Sequence, residues 1–189
     1  MKMPGVVALF AVLVASACGG TAGQGSTHPQ GSDGAGQASR DALVYAAVIR
    51  QLVTEDHGFG GAPSPYRRVY VLDGAVPSAA DPMRLLDQPA QPFADGLDQQ
   101  VIAELDGLPP VSFVASRRLA ITGAEPGHVV HRGVLITLGP ITWVDAQTAK
   151  VANNRWASGL NGQWLTYTVS YESSSWRVTG VAGDTVAIS

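Results

Sequence analysis

The sequence predicts an α+β fold, in which a curved antiparallel sheet with a C-terminal β-meander packs on one or two N-terminal helices. Two observations lead to this prediction. Apolar residues recur with helical spacing after residue 41, whereas from Gly133 onward they alternate with polar residues in segments separated by turn residues. Helices followed by a run of strands are typical of the α+β class.

The first predicted helix covers residues 41–54. Val44, Val48 and Leu52 recur every four residues and therefore share one face, which Tyr45 and Ile49 widen. We expect most of this helix to be buried.

A strand, a short helix and another strand are predicted next. Residues 67–73 are rich in β-branched and aromatic side chains, as are residues 111–115. Leu97, Val101 and Leu105, spaced four apart, predict a short amphipathic helix between them.

The C-terminal part predicts a meander. Residues 134–138 form a strand that Gly139-Pro140 is expected to end, and further strands cover residues 141–157, 163–171 and 175–181. Asn161-Gly162 suits a tight hairpin turn, and the serines before Trp176 supply the next turn.

The chain opens with the pattern of a secretory signal. Lys2 precedes an apolar run over residues 6–14, which is shorter than the roughly 20 residues that a membrane-spanning helix needs. Ala15-Ser16-Ala17-Cys18 resembles the lipobox of bacterial lipoproteins, with Ala15 where Leu is usual. The resemblance implies a signal peptide over residues 1–17 and a lipid such as palmitate on Cys18. An ordinary cleavable signal that leaves a cysteine behind is the alternative.

The residues after Cys18 predict a tether and one domain. Residues 18–40 lack large apolar side chains beyond the cysteine, so we expect a flexible tether there and a single α+β domain over residues 41–189. The net charge of −3 disfavours nucleic acid and electrostatic binding to anionic lipid. The expected location is therefore the outer face of the bacterial cell membrane, with the lipid on Cys18 as the membrane contact.

Two segments are similar to parts of a widespread group of uncharacterised bacterial proteins. Residues 44–52, followed by residues 69–73, resemble the opening of that group, and residues 162–167, 176–180 and 188–189 resemble its C-terminal meander. The resemblance implies a shared fold and no activity.

Few residues suggest chemistry. His128 and His131 are three apart, which on a strand turns them to opposite faces, so no metal is predicted. Glu55, Asp56 and His57 follow the first helix; His57 either acts as a general base or simply complements the helix dipole at the surface. Residues 58–61 lack the Lys-Ser/Thr of a phosphate loop, and no cofactor is predicted.

Aromatic residues of the meander are the remaining candidates. Trp156, Trp164, Tyr167 and Trp176 form either an interaction surface or part of the core. The sequence favours a binding module for a small ligand or an envelope protein. The alternatives are a cell-envelope hydrolase that uses Glu55, Asp56, His57 or His128, and a structural spacer.

Overall fold

The computed structural model describes residues 31–60, 62–85, 88–124, 127–183 and 187–188. The predicted signal peptide, Cys18 and the tether up to residue 30 lie outside these residues. The described helices and strands are α1 (Gly31–Thr54), β1 (Arg68–Ala75), α2 (Leu97–Ala103), β2 (Val111–Val114), β3 (Ile121–Thr122), β4 (His128–Val129), β5 (Gly133–Trp143), β6 (Thr148–Ser158), β7 (Asn161–Glu172), β8 (Ser175–Val181) and β9 (Ala187–Ile188).

The strands form one open, curved sheet. Its main path is β2-β1-β5-β6-β7-β8, while β9 also pairs with β7 and the short β3–β4 hairpin pairs with the end of β6. The predicted α+β fold, with N-terminal helices on a mostly antiparallel sheet, is confirmed. The sequence analysis did not predict that β1 is parallel to both of its neighbours, β2 and β5.

The predicted helix stripe is confirmed as the centre of the core. Val44, Val48 and Leu52 are fully buried against one face of the sheet, which we call the helix face. Leu165 and Tyr167 of β7 are buried on the same face, as the period of two along a strand requires. Among the described residues, no helix combines the length and the apolar character needed to cross a membrane.

The opposite face of the sheet is covered by the long connections. Leu72 packs there with Val76, Ala79 and Leu85, which follow β1. A second cluster joins Tyr70, Leu135 and Trp156 to residues of the β2–β4 region. The sheet is therefore buried on both faces over its central strands.

The first helix begins ten residues earlier than expected. Residues 31–40, which the sequence analysis assigned to the flexible tether, form the first turns of α1. Polar contacts stabilise the helix from Gln37 onward. Gln37 Nε2 donates to Asp41 Oδ1 across 2.6 Å, and Arg40 lies 3.7 Å from the centre of the Trp143 ring.

Three predicted strand boundaries are wrong. The predicted strand over residues 141–157 is divided, because residues 144–147 form the turn between β5 and β6. The strand β5 continues through Gly139 and Pro140 because the register shifts there, as in a β-bulge, which accommodates a proline. A Cβ atom on Gly139 would lie 2.9 Å from the Ala152 Cβ, so only glycine fits this approach. The Asn161-Gly162 pair begins β7 instead of forming the turn, because Asn161 pairs with Ser158.

Candidate functional site

A groove with a volume of about 740 Å³ lies between α1 and β8. This volume is within the range of ligand pockets, roughly 300–1,000 Å³. Leu43, Ala46 and Ala47 line it from α1, and Trp176 and Val178 line it from β8. The short alanine side chains leave the space that a bulkier helix surface would fill.

A cluster of three aromatic residues lies at one end of the groove. Trp176 contacts Tyr171 and Trp143, with ring centres 5.5 and 5.4 Å apart. Arg40 covers the Trp143 ring from the α1 side. Tyr171 is 43% exposed, whereas Trp176 is half-buried. The groove therefore presents a rigid aromatic surface, of the kind that favours binding with little loss of side-chain freedom.

Both signs of charge line the groove. Arg50 Nη2 donates to the Glu104 carbonyl across 2.8 Å, which ties the end of α2 to α1. The Arg177 Nε donates to Ser175 Oγ across 3.0 Å and the side chain is exposed. Glu55 and Glu104 also line the groove. Such a site can bind a ligand that has apolar parts and polar groups of both signs.

A buried network lies on the helix face beyond the groove, around Arg155. Its side chain is 1% exposed. Nη1 donates to the Tyr66 hydroxyl across 2.8 Å and to Asn161 Oδ1, and Nε donates to Gln163 Oε1 across 3.4 Å. The guanidinium is thus held by neutral acceptors. Burial raises the pKa of the Tyr66 phenol, and the adjacent Arg155 cation opposes this rise.

The carboxylate of Asp56 belongs to the same region. Tyr167 donates its hydroxyl to Asp56 Oδ2 across 2.5 Å, and Gln51 Nε2 donates to the same oxygen across 3.1 Å. Burial raises the pKa of Tyr167, and the hydrogen bond to Asp56 raises it further. These contacts hold the chain just after α1 against β7. They also engage the Asp56 carboxylate, which is one of the groups that the hydrolase hypothesis would use.

The expectation that His57 complements the helix dipole at the surface is wrong. His57 is 1% exposed, and its Nδ1 accepts the Phe59 amide hydrogen across 3.2 Å. Its backbone carbonyl accepts the Tyr66 hydroxyl hydrogen across 3.0 Å. The turn after α1 is therefore folded under Tyr66, and this buries the imidazole. Glu55 is exposed and lines the groove.

The four aromatic residues of the candidate interaction surface lie in different places. Tyr167 and Trp156 are buried, on the helix face and on the opposite face respectively. Trp164 is half-buried on the opposite face, where its Nε1 has no hydrogen-bond partner among the described residues. Trp176 alone of the four lines the groove.

The two histidines of the short connector are both exposed. His128 lies on β4, and His131 lies in a 3-10 turn, where its Nδ1 is 2.7 Å from the Tyr70 hydroxyl. Within the part of the chain that the structure describes, no three His, Cys, Asp or Glu residues are placed to hold a metal ion.

The sequence analysis missed the residues that organise the site. Arg155 has the same strand parity as the buried Val151, so a polar residue at an inward position was the available signal. Tyr66 gave no such signal, because it reaches Arg155 from the loop before β1, and Asn161 was expected to form a turn although it begins β7. Trp143 and Tyr171 were overlooked because they become neighbours of Trp176 only through the sheet.

The resemblance to a group of bacterial proteins rests on the residues quoted above. No family model, no curated protein and no solved structure matches the chain. The resemblance therefore stays a prediction.

Proposed function

We propose that the protein is a binding module, attached by a lipid on Cys18 to the outer face of the bacterial cell membrane, whose ligand occupies the groove between α1 and β8. One observation carries the proposal: a groove of about 740 Å³ combines the aromatic cluster at Trp176 with the apolar surface of Ala46 and Ala47. Its remaining lining is largely polar and charged, and such groups fix the orientation of a bound ligand.

Binding is favoured over catalysis by where the ionisable residues lie. The Asp56 carboxylate is engaged by Tyr167 and Gln51, and His57 is buried with its Nδ1 engaged by a backbone amide. His128 is exposed on β4, which pairs with β6 at Ser158. A general acid–base pair needs such groups to converge in one cleft, so the hydrolase hypothesis gains no support.

The membrane attachment rests on the sequence. Ala15-Ser16-Ala17-Cys18 supplies the site of lipidation, and an acidic chain with a net charge of −3 gives little electrostatic attraction to anionic lipid. Two or more acyl chains on one residue are enough for stable anchoring. The ligand is accordingly a small molecule or an envelope protein on the outer side of the membrane.

The test uses the full chain with its four tryptophans replaced by 5-fluorotryptophan, so that each gives a separate fluorine resonance. Cell-wall peptides, saccharides and lipid fragments are added in turn. A groove ligand shifts the Trp176 resonance and raises the melting temperature, because it binds only the folded state. Assignment of each resonance comes from single Trp→Phe variants.

A blocking variant makes the test specific. Ala47→Glu places a charged side chain in the groove and removes binding, whereas Ala124→Glu, at an exposed position after β3 that does not line the groove, leaves binding unchanged. If a ligand binds both variants equally, its site is elsewhere. If no compound of any class shifts the Trp176 resonance, the groove is not a binding site and the proposal is wrong.

A further inference from the structure

The strand β8 is an edge of the sheet. It pairs with β7 on one side, and no strand of the described residues pairs with it on the other. An unpaired edge exposes a row of backbone N–H and C=O groups that another extended chain can pair with. Ser175, Trp176, Arg177 and Val178 are consecutive, and all line the groove. Because successive side chains point to opposite faces, the groove must follow the strand backbone itself.

The hairpin between β7 and β8 determines which backbone groups face the groove. Glu172 pairs with Ser175 across a two-residue loop, in which Ser173 and Ser174 have φ values of 50° and 67°. These values are those of a type I′ turn, whose flanking residues exchange both hydrogen bonds. Since the ladder then alternates, Trp176 and Val178 direct their N–H and C=O groups away from β7.

The opposite wall of the groove suits the side chains of an added strand. Ala46 and Ala47 of α1 face Trp176 and Val178 across the groove. A strand paired with β8 would direct every second side chain toward these alanines. An edge strand beside a helix is a recurring site for extended peptides, in which the backbone supplies affinity and the pocket supplies selectivity. Four residues of such a strand would span about 13 Å.

The charges differ between the two ends of the groove. Its hairpin end is next to Trp143 and Arg40, because Trp176 contacts Trp143. Its other end is near the end of α1, because Val181 pairs with Tyr167, which binds Asp56. Arg177 therefore lies toward the hairpin end, whereas Glu55 lies toward the other end, where the guanidinium of Arg50 donates to the backbone carbonyls of Glu104 and Asp106. A strand antiparallel to β8 would start beside the acidic end and finish beside Arg177.

We propose that the groove binds an extended polypeptide segment, which adds to the free edge of β8 as an antiparallel strand with a basic residue at its N-terminal end and an acidic residue at its C-terminal end. Antiparallel pairing is the more stable arrangement per residue. This inference rests on the proposed function and names its ligand class.

The test titrates the ¹⁵N-labelled full chain with acetyl-Lys-Val-Thr-Val-Thr-Glu-amide. At saturation, the amides of Trp176 and Val178 exchange with solvent at least tenfold more slowly, because each has gained a partner. The Arg177 amide, already bonded to β7, changes little. The charge-exchanged peptide acetyl-Glu-Val-Thr-Val-Thr-Lys-amide binds at least threefold more weakly at low salt, and this difference decreases as salt is added.

Two N-methylated peptides provide the matched control. One carries methyl groups on the second and fourth residues and the other on the third and fifth, so the side chains are identical. Strand addition requires that one methylated peptide does not bind and that the other binds with a Kd within threefold of that of the unmethylated peptide. If both bind alike, or if exchange at Trp176 and Val178 is unchanged, the segment does not pair with β8.

The outcomes also separate this inference from the proposed function. One outcome is that a saccharide or lipid fragment shifts the Trp176 fluorine resonance and neither charged peptide does. This result supports the binding module and contradicts the strand addition. A titration in which Ala47→Glu removes binding of acetyl-Lys-Val-Thr-Val-Thr-Glu-amide, while Ala124→Glu does not, supports both. When no compound affects Trp176, both proposals fail.

Discussion

The hydroxyl of Tyr167 donates to Asp56 Oδ2 across 2.5 Å and joins the chain after α1 to the middle of β7. The two residues are 111 positions apart in the sequence. Tyr167 is 1% exposed, so water cannot replace Asp56 as the acceptor of its hydroxyl hydrogen. The contact holds the C-terminal end of α1 beside the strand whose neighbour, β8, forms the groove.

We expect Tyr167→Phe to lower the free energy of unfolding by about 1.5–3 kcal/mol, the range for a hydrogen bond to a charged group. Urea denaturation measures this change. Tyr171→Phe is the control on the same strand, because Tyr171 is 43% exposed, and it changes stability by less than about 0.5 kcal/mol. A double-mutant cycle with Asp56→Asn isolates the pair. Equal effects of the two Tyr→Phe changes would show that the contact adds nothing.

Replacement of Arg155 by Lys tests the buried network. A lysine keeps the charge but cannot reproduce the planar fork that reaches Tyr66, Asn161 and Gln163. We expect a loss of about 2–4 kcal/mol in the free energy of unfolding, since more than one charged hydrogen bond is lost. The exposed Arg177→Lys is the control and leaves stability within about 0.5 kcal/mol. An unchanged denaturation midpoint in Arg155→Lys contradicts the network.

The turn after α1 depends on glycine for two reasons that can be separated. Gly58 has a φ of +82°, and a Cβ there would lie 3.0 Å from Arg155 Nη2. Gly60 has a φ of +62° with nothing within 4 Å. Gly60→Ala therefore costs only the backbone strain, about 1–2 kcal/mol, whereas Gly58→Ala costs more because Arg155 must also move. Thermal denaturation compares them, and equal losses would mean that Arg155 does not crowd Gly58.

Burial raises the pKa of Asp41 above its ordinary value of 3.8, although Gln37, Arg40 and Trp143 oppose the rise. The folded protein thus holds this proton more tightly than the unfolded chain does. The stability that Asp41 contributes is present below the unfolded pKa and is lost as pH rises through the folded pKa. Asp41→Asn has no carboxyl group to titrate at this position. Its free energy of unfolding, relative to that of the unsubstituted protein, should therefore increase as the pH rises from about 3 to about 7.

Urea denaturation at both pH values measures the effect of Asp41→Asn. The control is Asp106→Asn, which removes the same charge from an exposed position. If the two variants show the same pH dependence, the effect belongs to net charge and not to the burial of Asp41.

The lipid anchor is tested at Cys18 in cells supplied with labelled palmitate. We expect the native chain to carry the label and to fractionate with the membrane. We expect Cys18→Ser to carry no label and to be released or mislocalised. A Cys18→Ser chain that is fully processed and still bound to the membrane would contradict the anchor.

Local patterns predicted the elements that depend on local sequence. The stripe of Val44, Val48 and Leu52 predicted the buried side of α1, because helical periodicity is independent of what the helix contacts. The alternation around Tyr167 predicted β7 for the same reason. The parallel neighbours of β1 escaped prediction because such pairing joins distant segments and leaves no turn signal.

The site was less predictable than the fold. Trp176 was chosen for its residue type, but its groove exists only because Ala46 and Ala47 of α1 lie opposite it. His57 was expected at the surface because it follows a helix, and tertiary contacts with Phe59 and Tyr66 bury it instead. Both outcomes depend on residues that are remote in the sequence or on loops that carry no periodic pattern.

The position of β1 between two parallel strands has a kinetic consequence. Val69 pairs with Val111 on one side and with Val134 on the other, so neither neighbour is available until much of the chain has been synthesised. Pairings between such distant segments require large loops to close first, and folding is correspondingly slow. The newly made chain therefore spends time with β1 unmatched on both sides, and it stays unfolded for longer than a chain whose neighbouring strands are consecutive in the sequence.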